Sequence, residues 1–173
     1  TGLPGFNVED VALTNVHIYS DESGKSEWVS RAVPEEAKSY PEARMFGRLP
    51  SYGLYCRHVQ GLRLRQIKFT ATATEERPAI FSDDVESIEI NGLRASPVRG
   101  EQSMIKLVQT RQAFISGCTA PRDTKSFLEV QGQQTGGVIV MNNNLNGVLK
   151  VLQSGPDVIP DAVTLAGNLG GKA

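Results

Sequence analysis

The side chains that could do chemistry are few and scattered. Asp83-Asp84 is the one pair of adjacent aspartates. Two carboxylates serve as acid and base when they are held across a substrate groove, whereas this pair falls at the end of a predicted strand, where aspartate makes turns. It is read as a turn acid, and no residue is assigned a catalytic role. His17 and His58 stand apart from each other and from the cysteines, without the spacing of a metal site. No Gly-rich loop opens a helix to cradle a phosphate. The expectation is no metal and no cofactor. Cys56 and Cys118 are too few for a disulfide scaffold and define no compartment.

The chemically richest stretch is residues 19 to 58. Six of the chain's eleven aromatic residues fall between Tyr19 and Tyr55, beside Arg31, Arg44, Arg48, Arg57 and His58. Exposed aromatic and Arg side chains together suit a sugar face and its acidic groups. The candidate substrate-binding residues are therefore Trp28, Arg44, Arg48, Tyr52, Tyr55, Arg57 and His58, and the partner they fit is an acidic polysaccharide or oligosaccharide. The alternative is that Trp28, Phe46 and Tyr52 pin a loop to the body of the protein.

Composition narrows the remaining classes. The 173 residues carry a net charge of -1 with acids and bases interspersed, so no basic field points to nucleic acid. No apolar run has the length of a membrane span. The opening Thr1-Gly2-Leu3-Pro4-Gly5 has neither an initiating Met nor a signal pattern, which predicts a start after processing or inside a longer protein.

The elements that must position these residues come from an internal repeat. Six phrases begin at Val11, Leu62, Ile88, Ala113, Val138 and Val163, with intervals of 51, 26, 25, 25 and 25 residues. In each, two apolar positions alternate with outward ones, and a small or amide residue follows. All twelve residues in the two leading columns are apolar, an outcome with a composition-based probability of about 10^-5, so chance is a poor explanation. Alternation makes each phrase a strand, and the three-residue step to the next inward position requires a bend. At that bend stand Asn15, Gln66, Gly92, Gly117, Asn142 and Gly167. Gly and Asn tolerate the left-handed backbone such a corner needs.

Further strands precede the phrases at Leu54-Tyr55-Cys56, Ile80-Phe81-Ser82, Ile105-Lys106-Leu107, Leu128-Glu129-Val130 and Leu149-Lys150-Val151. Three short strands per turn predict an all-β chain folded as a parallel β-helix, a solenoid of about 25 residues per rung and about six rungs. An antiparallel sandwich is the alternative, but it has no reason to keep a constant period. Residues 1–173 form one domain, and residues 19–53 interrupt it, either as an insertion in one rung or as an extra rung. One or two helical turns are expected after Ser30, ended by Pro41 and Pro50. Cys56 and Cys118 face inward two rungs apart, beyond disulfide reach, while Asn143 and Asn168 take inward positions where stacked amides can satisfy one another. The open ends of the stack offer unpaired strand edges for self-association.

The run Tyr40-Pro41-Glu42-Ala43-Arg44-Met45-Phe46-Gly47-Arg48-Leu49-Pro50-Ser51-Tyr52-Gly53-Leu54-Tyr55-Cys56-Arg57-His58-Val59, followed by Gly61-Leu62-Arg63-Leu64, resembles the C-terminal part of bacterial polygalacturonase-like glycoside hydrolases of family 28. Gly2-Leu3-Pro4-Gly5 before Asn7-Val8-Glu9-Asp10-Val11 fits the same place. The resemblance implies a right-handed parallel β-helix. It also implies a family that cleaves glycosidic bonds in pectic polysaccharides with aspartates as acid and base, and an extracytoplasmic location. The family signatures Asn-x-Asp, Asp-Asp, Gly-His-Gly and Arg-Ile-Lys are absent from their proper context here. The functional expectation is accordingly the C-terminal β-helix portion of such a hydrolase, inactive alone. A non-catalytic carbohydrate-binding module and a structural or assembly solenoid are the alternatives.

Overall fold

The alternating phrases form strands that stack in parallel. The computed structural model describes residues 1–42 and 44–171. In chain order the elements are β1 (Val8–Thr14), β2 (His17–Ser20), a single 3-10 turn (Ser26–Trp28), β3 (Leu54–Arg65), β4 (Lys68–Ala71), β5 (Ile80–Asn91), β6 (Arg94–Ala95), β7 (Ser103–Ser116), β8 (Ser126–Gln131), β9 (Val138–Met141), β10 (Lys150–Ser154) and β11 (Val163–Ala166). One sheet runs β1-β3-β5-β7-β8-β10, with β9 on β7 and β11 on β9, and a second runs β2-β4-β6. The result is a β-solenoid of about five turns with about 25 residues per turn. Six phrases stack, and the first lacks the preceding strand that the other five have, which leaves about five full turns.

Left-handed corners stack in three columns. The predicted column Asn15, Gln66, Gly92, Gly117, Asn142 and Gly167 has φ between 52° and 74° throughout. A second column, Asp10, Gly61, Ser87, Gln112 and Gly137, and a third, His58, Asp84, Gln109 and Gly132, also have positive φ. These two columns bend β3, β5 and β7 within their lengths, which lets one continuous run of pairing wrap two faces of the coil. Sequence reading found the first column, five of whose six residues are Gly or Asn, the residues that take this conformation most readily, and a turn at Asp83-Asp84 in the third.

The core is a set of vertical columns. Leu62, Ile88, Ala113 and Val138 stack in register, as do Leu64, Ile90, Ile115 and Val140, all nearly or fully buried. Asn143 sits in the interior, where its Oδ1 accepts from the Cys118 N–H at 2.8 Å. Its Nδ2 donates to Asn168 Oδ1 at 2.9 Å and to Ile115 O at 3.1 Å. The amide ladder is thus satisfied on both sides. Cys56 and Cys118 are buried free thiols, pushed up to about 12 and about 11 respectively by burial.

Two local expectations are corrected. Leu149 is 67% exposed and precedes its strand; Leu152, not Leu149, stacks on Leu128. The cause lies at the start of these strands, where Met104, Phe127 and Val151 are buried beside the regular inward residues, so that Leu149-Lys150-Val151 imitates an inward–outward–inward phrase. The helical turn falls at Ser26–Trp28 rather than after Ser30. The Ser26 N–H donates to Glu76 Oε2 at 3.0 Å and fixes that turn to the body.

Candidate functional site

Val11 pairs directly with Leu62, so the segment from Asp21 to Gly53 is one insertion within a rung and not an extra rung. Its first anchor is a buried ion pair. The Glu75 side chain is fully enclosed; its Oε1 accepts from Arg77 Nε at 2.8 Å and from the Arg77 backbone N–H at 2.9 Å, and its Oε2 accepts from Arg77 Nη2 at 2.8 Å. Arg77 Nη1 donates to Leu49 O and Ser51 O in the insertion. Trp28 has two guanidinium groups over its ring, Arg77 at 5.3 Å and Arg48 at 5.0 Å from the centroid. Gly24 crosses this pair so closely that a Cβ there would overlap Glu75 Oε1 and Arg77 Nε. Tyr52 is buried edge-on against Phe69 and donates to Ser96 O at 3.1 Å, and burial raises its hydroxyl above the ordinary tyrosine range.

The second anchor is a charge cluster at one corner. Arg57 is 6% exposed, and its Nη1 and Nη2 donate to Val33 O at 2.6 Å and Pro34 O at 3.0 Å. Its Nη2 also lies 3.2 Å from Glu35 Oε2 without hydrogen-bond alignment, an ion contact that leaves that oxygen and Arg57 Nε without hydrogen-bond partners. His58 occupies the left-handed corner at φ 53° and Asp84 stands on it one rung on, at φ 50°. His58 Nδ1 is 2.6 Å from Asp84 Oδ2, and Nε2 is 3.2 Å from Glu35 Oε1. The imidazole therefore bridges a carboxylate of the insertion and one of the rungs. Beside it, burial raises the Asp83 carboxyl, against the lowering effect of Arg57 and His58. Tyr55, stacked on Phe81 at 5.8 Å, is pushed up to about 12 by burial.

Four of the seven candidate binding residues, Trp28, Tyr52, Arg57 and His58, thus anchor the insertion, and Tyr55 packs against Phe81. Tyr52, Arg57 and His58 are buried, and Trp28 and Tyr55 are half-buried. Arg44 and Arg48 face solvent beside Glu22, which pairs with Arg48. Asp84 stands at a corner, as its reading as a turn acid requires, but its carboxylate is engaged by His58, which spacing alone did not reveal. Glu35, Glu75 and Arg77 were missed. Glu35 lies far from His58 in sequence, and the Glu75-Glu76-Arg77 run reads as ordinary surface charge. Among the described residues, no group of three or more His, Cys, Asp or Glu side chains is arranged to hold a metal ion, and no helix is long and apolar enough to cross a membrane. Compared with known proteins, the chain matches no family, no curated protein and no solved structure.

Proposed function

We propose that this chain is the C-terminal β-helix portion of a polygalacturonase-like glycoside hydrolase acting on pectic polysaccharide outside the cytoplasm. It stabilises the coil and supplies one wall of a carbohydrate groove through its insertion, without performing the hydrolysis. The observation that carries the reading is the state of the carboxylates. Hydrolysis needs an acid and a base free to face the substrate from two sides. Asp84 and Glu35 are engaged by His58, Glu75 is enclosed with Arg77, and Asp83 is adjacent in sequence to Asp84 rather than across a groove from it. The stretch that resembles the family, residues 40 to 69, supplies Tyr52, Arg57 and His58 to the insertion's anchorage. Reducing-end assays on polygalacturonate and rhamnogalacturonan test the reading: the 173-residue chain releases no sugar. Release that is abolished by Asp83→Asn or Asp84→Asn overturns it.

Two other readings have specific support. Exposed Arg44 and Arg48 suit a non-catalytic module that binds acidic sugars; calorimetry without heat at millimolar oligogalacturonate eliminates it. Val8 and Ile18 on the first rung, and Ile159 and Leu169 on the last, are 39% to 65% exposed and suit an assembly that pairs coil ends. Solution scattering that shows a monomer at high concentration counts against that assembly.

A further inference from the structure

We propose that His58 is a pH-sensitive latch that fastens the insertion to the solenoid when the imidazole is protonated and loosens it when the imidazole is neutral. The geometry carries the inference. His58 is 9% exposed, and each ring nitrogen meets a carboxylate oxygen, Asp84 Oδ2 at 2.6 Å on the neighbouring rung and Glu35 Oε1 at 3.2 Å on the insertion. An imidazolium donates from both nitrogens and satisfies both carboxylates. A neutral imidazole has one N–H, and its other nitrogen turns a lone pair toward an anion. The shorter contact to Asp84 keeps the proton, and the contact to Glu35 becomes repulsive. Histidine is the side chain whose unperturbed charge change falls between about pH 5 and 8, which sets the range of the test.

Every charged neighbour of the ring belongs to the same balance. The insertion brings Glu35; the next rung brings Asp83 and Asp84; its own strand brings Arg57 and Tyr55. The segment from Thr1 to Asn7, hydrogen-bonded to Arg57 O through the Gly2 N–H, carries no charged side chain, and its amino group acts on Cys56. Arg57 holds Val33 O and Pro34 O through contacts that do not involve the imidazole, so the neutral state loosens the strap around Glu35 without freeing the whole insertion.

The latch is independent of which ligand the insertion meets, and its test uses no sugar. Amide hydrogen exchange of residues 29–39, corrected for the intrinsic pH dependence of exchange, is compared at pH 5.8 and pH 8, with β5 and β7 as internal standards of folding. Loss of one charge-assisted contact predicts opening roughly tenfold greater at the higher pH. His58→Gln abolishes that difference. Glu35→Gln, on the insertion and outside the rungs, gives at pH 5.8 the exchange that the unaltered chain shows at pH 8, and keeps the test decisive if His58→Gln does not fold. Equal exchange at the two pH values in the unaltered chain overturns the latch, as does an undiminished pH response in either folded variant.

Discussion

A side chain in a left-handed corner costs roughly 1–2 kcal/mol relative to ordinary backbone, and Gln66 bears that cost in a column otherwise made of Asn and Gly. Gln66→Gly should therefore raise the thermal midpoint by a few degrees, equivalent to about 1 kcal/mol, as read by calorimetry. Asp83 gives a prediction with a defined sign. Burial raises its carboxyl in the fold, so the proton-bound form is favoured by folding, and the stability it contributes at low pH is lost as pH rises through the raised value. Asp83→Asn should accordingly stabilise the chain at pH 7 and change little at pH 3, by denaturant titration at each pH. The buried thiols should resist iodoacetamide at neutral pH and react once the chain unfolds, because burial raises both and bars access. At this scale the sequence was legible where type announces conformation, as at Gly92 and Asn142. It was opaque where function of a side chain depends on a distant partner, as for His58 with Glu35, because a contact across an insertion leaves no spacing to read.

Among the elements, the insertion is the part whose attachment matters most. Its hold on the body depends on the buried Glu75–Arg77 pair, and truncating one member of such a pair costs about 3–5 kcal/mol by leaving a charge without its partner. Arg77→Ala should lose stability on that scale and shift the emission of Trp28, the chain's single tryptophan, whose ring rests against Arg77. Fluorescence-monitored urea unfolding measures both. The strands themselves were readable from period-2 alternation and the 25-residue repeat, since apolar columns must stack to exclude water. Their bends were not, because Asp10, Ser87, Gln112 and Gln109 are residues that sequence alone assigns to no corner. The one misregistered strand, at Leu149, shows the same limit: an extra buried column beside the regular one mimics the phrase.

For the molecule as a whole, the solenoid places its chemistry on the outside and spends its interior on stacking. The insertion is held at two places on the coil, at Arg77 and at Arg57 with His58, and Arg44 and Arg48 are turned to solvent. In the proposed reading this arrangement forms a wall for an acidic chain, with Asp84 and Glu35 engaged by His58 and Glu75 by Arg77. Titrating the isotopically labelled protein with oligogalacturonate, and mapping the amide shifts by NMR, tests this wall most directly. The account predicts shifts concentrated in residues 28 to 57 and weakened by Arg44→Gln with Arg48→Gln. Shifts confined to the far faces of the solenoid, or none at millimolar ligand, would contradict it.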